Sequence, residues 1–454
     1  MNKLIHTTIE ITLRIIAILC LLKAAKDKKI KVKAKIRRVA DKVYKKWGTT
    51  AGYYIDSLMY NSRVRKLIEN ISDAELAAMA IDYISEFNVS LYPYKSMNGI
   101  EGTTEFQVIL SEKGFTQEHL KKYDEMCDGK PKNRLYSLLY NVVAHFFSSY
   151  SPSACINSPG SKVKMCQKMN KDKLLKNPDK PDELWDYLVE PFARTCSFSF
   201  FLRDKVKRFI INDKDIEVVN YLICLKLYTP YLINAIFNEI NSEEFKRLKA
   251  SVADPSSFSK EKVEYTDILN HALKGIKSID KINQMSIRAA ACFFMKVNLS
   301  FNGMCKDINK NRVSGIMDKL VRSIPRMFSA AWVLQRAEIT CKDGLEIIKQ
   351  YSNLKNTLFI IDTPYITKAK IDDGAYNLKF TFNAFRKIAK MARHLEYVIL
   401  THKELDIVRE LFPVEDGGFS RISYSNPFGK SSYVTDVYYK GVDPDVFGDF
   451  EDEV

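Results

Sequence analysis

The feature that most constrains this chain is a short apolar run that ends abruptly in four residues of different character. Residues Thr357–Ile361 carry no charge, as expected of a strand buried on both faces of a parallel sheet. Asp362–Thr363–Pro364–Tyr365 follows at once. Ligands of open α/β sheets bind beyond the carboxyl ends of the strands, so this turn is a candidate binding site. A carboxylate acceptor, a rigid proline and a stacking ring suit a flat heterocycle that bears an amine, although an ordinary turn at a strand end looks the same.

Length, composition and charge limit the kinds of protein that this chain can be. The chain has 454 residues, which is too long for one typical core and predicts two or three domains. With 46% hydrophobic residues it can bury real cores, and its formal net charge of +15 favours a polyanionic partner, either nucleic acid or an acidic membrane surface. Nine cysteines and six histidines are scattered without any C-x-x-C pair. This pattern predicts neither a metal site nor a disulfide framework, and it suits a reducing, cytoplasmic location.

The amino-terminal region, residues 1–149, is predicted to be a basic, mostly helical accessory domain. Its apolar segment Ile9–Leu22 is interrupted by Glu10 and Arg14 and is shorter than the roughly 20 residues that span a bilayer. A basic run, Lys23–Lys46, follows. Residues 1–46 therefore allow three interpretations. They are an anchor on an acidic membrane surface, a helix docked on a protein partner beside a nucleic-acid-binding arm, or a packed helix with a solvated basic face.

Beyond a boundary rich in serine and proline, Ser148–Ser161, the pattern changes to alternating strands and helices, which is typical of a parallel sheet. A mostly helical stretch, Tyr221–Arg326, interrupts the alternation, and its polar segment Ala253–Lys262 predicts a break. The predicted strands are Tyr187–Phe192, Phe209–Asp213, Ala337–Thr340, Tyr397–Leu400 and an antiparallel pair, Arg421–Tyr424 and Tyr433–Tyr439; the predicted helices include Ala74–Phe87, a short one ending at Met165, Gly344–Tyr351 and Phe382–Arg393.

Two of the predicted strands end in a carboxylate. Glu190, followed by Pro191 and Phe192, ends the first, and Asp213 ends the second. Their spacing is about that of a nucleoside-binding βαβ unit, in which a carboxylate on the second strand binds the ribose hydroxyls. A lone aspartate at a strand end is usually a cap or a turn residue, but two on successive strands favour a ligand at this edge of the sheet.

Taken together, the order of these segments over Ser158–Tyr439 resembles the Dam-like class of adenine-N6 DNA methyltransferases. The resemblance implies an α/β fold, a Rossmann-like S-adenosylmethionine-dependent methyltransferase sheet with an inserted, mostly helical DNA-recognition domain, preceded here by the helical basic N-terminal domain. It places the catalytic domain at residues 150–225 and 335–445, the inserted target-recognition domain at 226–334, and an acidic tail at 446–454. Lysine-, asparagine- and isoleucine-rich usage suits a phage-encoded protein.

The resemblance also implies roles for individual residues. S-adenosylmethionine is the expected methyl donor and double-stranded DNA the expected substrate. The adenine leaves the duplex, Tyr365 stacks on it, and Asp362 with the Thr363 carbonyl binds its amino group. The implied catalytic residues are Asp362, Thr363, Pro364 and Tyr365; the implied donor-binding residues are Gly160, Lys162, Glu190, Pro191, Phe192, Asp213 and Asp343; and the implied DNA-binding residues are Arg288, Asn302, Lys306, Lys310 and Arg312.

Three departures from the family pattern leave a second hypothesis open. Arg194–Thr195–Cys196 stands where the family has glycines, so side chains are expected to crowd the methionine part of the donor unless the loop takes another path. Thr363 replaces the first proline of the catalytic motif, and Lys306–Arg312 replaces a base-reading hairpin. The alternative to an active methyltransferase is a catalytically inactive protein of the same fold that acts as a DNA-binding or scaffold module.

Overall fold

The computed structural model describes residues 13–14, 16–24, 27, 71, 73–86, 135–152, 162–178, 183–276, 278–300, 305, 307–367, 370–371, 380–413, 418–428 and 431–441. Its strands are β1 (Trp185–Glu190), β2 (Val206–Asn212), β3 (Ala337–Thr340), β4 (Thr357–Ile361), β5 (Ile366–Thr367), β6 (Lys370–Ile371), β7 (Tyr397–Lys403), β8 (Ser420–Phe428) and β9 (Ser431–Lys440). Its helices are α1 (Asp73–Glu86), α2 (Leu135–Phe146), α3 (Val163–Lys171), α4 (Ser197–Phe201), α5 (Ile216–Leu227), α6 (Thr229–Ile240), α7 (Glu243–Ala250), α8 (Pro255–Lys274), α9 (Gln284–Leu299), α10 (Lys310–Val313), α11 (Ile316–Leu334), α12 (Gly344–Tyr351), α13 (Phe382–Ala392) and α14 (Asp406–Leu411).

Seven strands form one mostly parallel sheet in the order β3-β2-β1-β4-β7-β9-β8. Strands β1, β2, β3, β4 and β7 run parallel, whereas β9 pairs antiparallel with both β7 and β8. From β1, the next two strands in the chain, β2 and β3, are added toward one edge of the sheet. From β4, strand β7 is added toward the other edge. The strand order therefore reverses between β1 and β4, and the crevice beyond the carboxyl ends of these two strands is where such a sheet binds ligands.

Strand β4 lies at the centre because both of its faces are apolar. Leu358 and Ile360 belong to the large core on one face, and Phe359 and Ile361 belong to the smaller core on the other. Side chains of successive strand residues point to opposite faces, so a strand covered on both sides must be apolar throughout. The large core is formed with the helices that lie between β2 and β3 in the chain, and the smaller one with α12, α13 and α14.

Most predicted elements are confirmed, and several bounds change. The strand Ala337–Thr340 and the helix Gly344–Tyr351 match their predictions, and β8 and β9 form the antiparallel pair. Helix α3 continues to Lys171 instead of ending near Met165, and β7 continues to Lys403 instead of ending at Leu400.

The break predicted over Ala253–Lys262 is wrong. Only a short 3-10 turn occupies Ser251–Ala253, and α8 begins at Pro255. The Asp254 carboxylate caps this helix by accepting hydrogen bonds from the amides of its first turn, and proline is well suited to the first helical position. The segment looks like a loop in sequence because α8 buries few side chains along its length.

The amino-terminal apolar segment is packed within the protein. The described residues among 13–24 are helical, and Leu13 and Ile16 to Leu22 are each at most 7% exposed and belong to the large core. Helix α2 packs on α11, where the rings of Tyr140 and Phe147 contact Phe328. This burial favours the packed-helix interpretation of Ile9–Leu22. Most of the basic run that follows lies outside the described residues, so its partner stays a prediction.

Within the described part of the chain, no single helix is both long and apolar enough to cross a membrane. Helices α5 and α6 meet those criteria only as a pair, with a bend of 119° between them.

Candidate active site at the carboxyl ends of β1 and β4

Asp362 is the first residue after β4, and its two carboxylate oxygens have different surroundings. Oδ1 accepts a hydrogen bond of 2.5 Å from the Thr401 hydroxyl of β7 and forms an ion pair of 3.2 Å with Lys162 Nζ. No described residue donates a hydrogen bond to Oδ2, and the side chain is 21% exposed. The carboxylate is therefore anchored through Oδ1, and Oδ2 remains available to a ligand.

Lys162, the residue before α3, joins the start of that helix to the predicted catalytic motif. Its ammonium donates a hydrogen bond to the Tyr365 hydroxyl and lies 4.5 Å from the centre of the Tyr365 ring, in addition to its ion pair with Asp362. Its backbone amide lies 3.3 Å from the Ser197 hydroxyl, next to the loop after β1. One buried lysine thus brings together the predicted donor site and the predicted catalytic residues. Gly160, in the predicted turn before this helix, lies outside the described residues.

The Tyr365 ring packs against a buried histidine. The ring centroids of Tyr365 and His402 are 5.0 Å apart, and His402 also contacts the Phe385 ring, with centroids 5.1 Å apart. Burial lowers the pKa of His402 to about 4, so its imidazole is neutral, and Nδ1 lies 2.9 Å from the Lys403 carbonyl oxygen. Burial likewise raises the pKa of Tyr365, which keeps the phenol protonated. Sequence reasoning missed Thr401 and His402 because they lie on a different strand from the motif.

Thr363 is held inside the turn and is only 1% exposed. Its hydroxyl is buried and makes no hydrogen bond with any described residue. The Thr363 hydroxyl therefore forms no bond in the turn that would be lost if proline stood at this position. The backbone carbonyl at position 363 is present with either residue. Pro364, beside it, is half-buried.

Glu190, at the end of β1, faces the protein interior. Its Oε2 accepts hydrogen bonds from the Ser199 amide at 3.1 Å and the Ser199 hydroxyl at 2.5 Å. Burial raises the pKa of Glu190 to about 7 despite these bonds. Both of these bonds tie β1 to α4, so the carboxylate stabilises the loop between them. A direct contact of Glu190 with the methyl donor stays a prediction.

The glycine-free loop after β1 keeps a backbone conformation that glycine would favour. Arg194 and Cys196 have φ angles of 34° and 51°, in the left-handed region that costs a side chain about 1–2 kcal/mol. The Cys196 side chain is fully buried in the large core. The Arg194 guanidinium lies near Glu217 and Cys305, where burial raises the pKa of each group and this cation opposes the rise. The Cys196 side chain therefore lies in the core, whereas the Arg194 cation lies near Glu217 of α5 and also acts on Asp213. Whether Arg194 crowds the methyl donor stays a prediction.

Asp213 is bound by the same loop. Its Oδ2 accepts a hydrogen bond from the Arg194 amide at 2.9 Å, and its Oδ1 accepts one from the Asp215 amide at 2.8 Å. Burial raises the pKa of Asp213 to about 6. A carboxylate can accept about four hydrogen bonds, so both oxygens retain capacity for a ligand's hydroxyl groups.

The Asn212 side chain connects the carboxyl ends of β1, β2 and β3, a role that the sequence analysis did not predict. It is fully buried; its side-chain amide donates to the carbonyl oxygens of Pro191 and Lys342, and its Oδ1 accepts from the Thr340 hydroxyl and the Lys342 amide. All four distances are between 2.8 and 3.0 Å. The signal in the sequence is an asparagine at the end of an otherwise apolar strand, where its amide can bond to the backbone of neighbouring strands.

Asp343 and Phe192 meet at the start of α12. Asp343 caps this helix through the Leu345 amide and pairs with Lys214 at 2.9 Å. A Cβ atom at Gly344 would lie 2.3 Å from the Phe192 ring, so only glycine fits beneath it. The Phe192 ring also contacts Phe380, with centroids 5.9 Å apart. Together these residues give an apolar wall beside a carboxylate.

The residues predicted to bind DNA are only partly placed. The Arg288 side chain is 60% exposed and pairs with the buried Glu239 at 2.9 Å, which ties α9 to α6. Lys310 and Arg312 lie on the short helix α10. Asn302 and Lys306 lie outside the described residues. Among the residues described, no group of three or more histidine, cysteine, aspartate or glutamate side chains is arranged to hold a metal ion.

Comparison with known proteins identifies the family of this chain. No curated protein matches it significantly. The model of the family described as "D12 class N6 adenine-specific DNA methyltransferase" matches residues 159–423, more than half of the chain, and this span contains every residue of the site described above. The chain therefore belongs to the D12 class N6 adenine-specific DNA methyltransferase family, which assigns it adenine-N6 methyl transfer and does not favour the catalytically inactive alternative.

Proposed function

We propose that this protein is an active enzyme that methylates N6 of an adenine flipped out of double-stranded DNA, with Asp362 and Tyr365 in the base pocket and S-adenosylmethionine as donor. The observation that carries the proposal is the asymmetry of Asp362. Thr401 and Lys162 hold Oδ1, while Oδ2 is open at the point where the strand order reverses. An anchored acceptor with one open oxygen is what a catalyst needs to bind an exocyclic amine in a fixed direction.

The donor-site residues fit S-adenosylmethionine. Asp213 has hydrogen-bonding capacity left for ribose hydroxyls, and the apolar wall of Phe192 beside Asp343 suits an adenine ring. The Cys196 side chain is buried in the core and leaves the donor site clear, and the Arg194 cation beside Asp213 and Glu217 keeps the pKa of both carboxyls lower than burial alone would. When bound, the donor supplies an electrophilic methyl group on sulfonium sulfur.

In this mechanism the protein orients the amine. Asp362 Oδ2 and the Thr363 carbonyl oxygen accept hydrogen bonds from the two N6 hydrogens, which directs the nitrogen lone pair at the incoming methyl group. Oδ2 is also the acceptor offered to the proton that N6 loses on methylation. Tyr365 stacks on the extruded base and offsets part of the few kcal/mol that base flipping costs.

Binding of the duplex rests on charge. The net charge of +15 supports phosphate contacts, and Lys310 and Arg312 on α10 are our candidates. Neutralising either residue is expected to weaken binding to all sequences alike and to lower the slope of log affinity against log salt by about one. Arg288 is a weaker candidate because it already pairs with Glu239.

The decisive experiment measures transfer of tritiated methyl groups from S-adenosylmethionine to DNA that lacks N6-methyladenine. Asp362→Ala is expected to lower the rate at least about 100-fold while calorimetric donor binding persists, because a preorganised hydrogen-bonding group at the reacting atom contributes about that much. Asp213→Ala is expected to lose donor binding itself. Glu264→Gln, an exposed change on α8, is the matched control and should leave both measurements unaltered. Full activity in Asp362→Ala would refute the proposal.

A further inference from the structure

Strand β7 extends beyond the end of β4, its parallel neighbour. Ile361, the last residue of β4, pairs with Leu400, and β7 continues for three more residues to Lys403. This extension lies beside the catalytic turn. Its first two residues, Thr401 and His402, are both fully buried. Thr401 donates to Asp362 and also lies beside the Tyr365 hydroxyl, and His402 packs against the Tyr365 ring.

Thr401 controls the rotation of the Asp362 carboxylate. The terminal torsion of an aspartate is broad and nearly two-fold, so an unrestrained carboxylate would present either oxygen to a ligand. The Thr401 hydroxyl donates to Oδ1 from within the core, and Lys162 pairs with the same oxygen. With both partners on Oδ1, the direction of Oδ2 is fixed before any substrate arrives.

His402 acts on the ring instead of the carboxylate. Its ring packs at a tilt against both Tyr365 and Phe385, with centroid distances of 5.0 and 5.1 Å and interplanar angles of 45° and 50°. The Nδ1–H donates to the Lys403 carbonyl oxygen, which fixes the orientation of the imidazole. A fully buried imidazole held in this way gives the Tyr365 ring a fixed aromatic neighbour at a tilt of 45°.

We propose that Thr401 and His402 are positioning residues for methyl transfer: Thr401 fixes Asp362 so that Oδ2 meets the amino group, and His402 supports the Tyr365 ring on which the extruded adenine stacks. Neither residue touches the reacting atoms, and the inference rests on the proposed function. It assigns two residues of β7 to a site otherwise made by the catalytic turn.

Thr401 is tested with a pair of variants, Thr401→Val and Thr401→Ser, in single-turnover methyl transfer with excess enzyme. Valine keeps the shape and removes the hydroxyl, and serine retains it. Thr401→Val is expected to slow methyl transfer about 10- to 100-fold, the effect of losing one hydrogen bond to a charged group, with donor and DNA affinities unchanged. Thr401→Ser should return to within a few-fold of the parent. A normal rate in Thr401→Val, or equal loss in both, would overturn the role of Thr401.

His402 is tested with His402→Ala and His402→Phe on a duplex carrying 2-aminopurine at the adenine that the enzyme methylates. The alanine variant is expected to lower the fluorescence change that reports extrusion of the base and to raise KM for DNA. The phenylalanine variant restores a flat neutral ring and should recover both. If His402→Phe folds and is as defective as His402→Ala, the support role is wrong.

The same variants distinguish a wrong function from a wrong role for Thr401. Retained methyl transfer in Asp362→Ala would refute the proposed function itself. Loss in Asp362→Ala together with full activity in Thr401→Val would refute only the positioning role.

Discussion

The buried Glu190 carboxyl makes the stability of this protein depend on pH in a direction opposite to that of an ordinary salt-bridged acid. Its side chain is 2% exposed, and burial raises its pKa from 4.5 to about 7. The folded protein therefore holds the proton more tightly than the unfolded chain does. The stability contributed by the protonated group is fully present below pH 4.5 and is lost as pH rises through about 7.

The size of this loss follows from the two pKa values. They differ by about 2.5, and each pKa unit corresponds to about 1.4 kcal/mol, so the loss is about 3 kcal/mol. Glu190→Gln removes the titration, and its amide oxygen can still accept the bonds that Ser199 donates. The variant should exceed the parent by less than about 1 kcal/mol at pH 5 and by up to about 3 kcal/mol at pH 8.

The assay is urea unfolding at pH 5, 6, 7 and 8, followed by tryptophan fluorescence. Trp185 is a suitable reporter because it is buried in the same strand, β1. Glu264→Gln changes an exposed carboxylate and should give a pH profile parallel to that of the parent. If Glu190→Gln also runs parallel to the parent across this range, the carboxyl is not protonated in the folded state and the reasoning fails.

Two further predictions concern packing around the site. Thr363→Val removes a buried hydroxyl that has no described partner, so the free energy of unfolding should rise by about 1 kcal/mol, measured by denaturation; Thr357→Val, which removes a hydroxyl bonded to a carbonyl, is the control and should lower it. Gly344→Ala would place a Cβ atom 2.3 Å from the Phe192 ring, so it should lower stability by about 1–3 kcal/mol and weaken donor binding in calorimetry. Gly315→Ala meets nothing within 4 Å and should do neither; equal effects of the two alanines would contradict the close approach.

The sheet was predictable because its signals are local. The apolar run that becomes β4 and the bounds of β3 and α12 could be read from a few adjacent residues. The catalytic turn followed from the same reading, since it begins where the apolar run ends. The extension of β7 was not predictable, because Thr401, His402 and Lys403 are polar and resemble a loop until β9 is seen to pair with them.

The loop after β1 shows a different limit of sequence reasoning. The absence of glycine predicts a crowded donor site, because side chains in left-handed backbone are costly. The structure keeps the left-handed φ angles at Arg194 and Cys196, buries the Cys196 side chain in the core, and leaves the Arg194 cation near both Asp213 and Glu217 of α5. Composition at a position therefore does not determine where a side chain goes. Only the helices packed behind the loop decide that, and they are distant in sequence.

Lys162 links the proposed donor site to the proposed base site. Its backbone amide reaches Ser197 in the loop after β1, and its ammonium binds both Asp362 and Tyr365. A change at Lys162 is therefore expected to alter both proposed sites, whereas a change at Asp213 is expected to act on the donor side alone. The same lysine pairs with Oδ1 of Asp362, the oxygen opposite to the one that the proposed mechanism assigns to the amine. Acceptor strength at Oδ2 is then set jointly by a lysine next to the donor loop and a threonine on β7, and neither belongs to the catalytic motif.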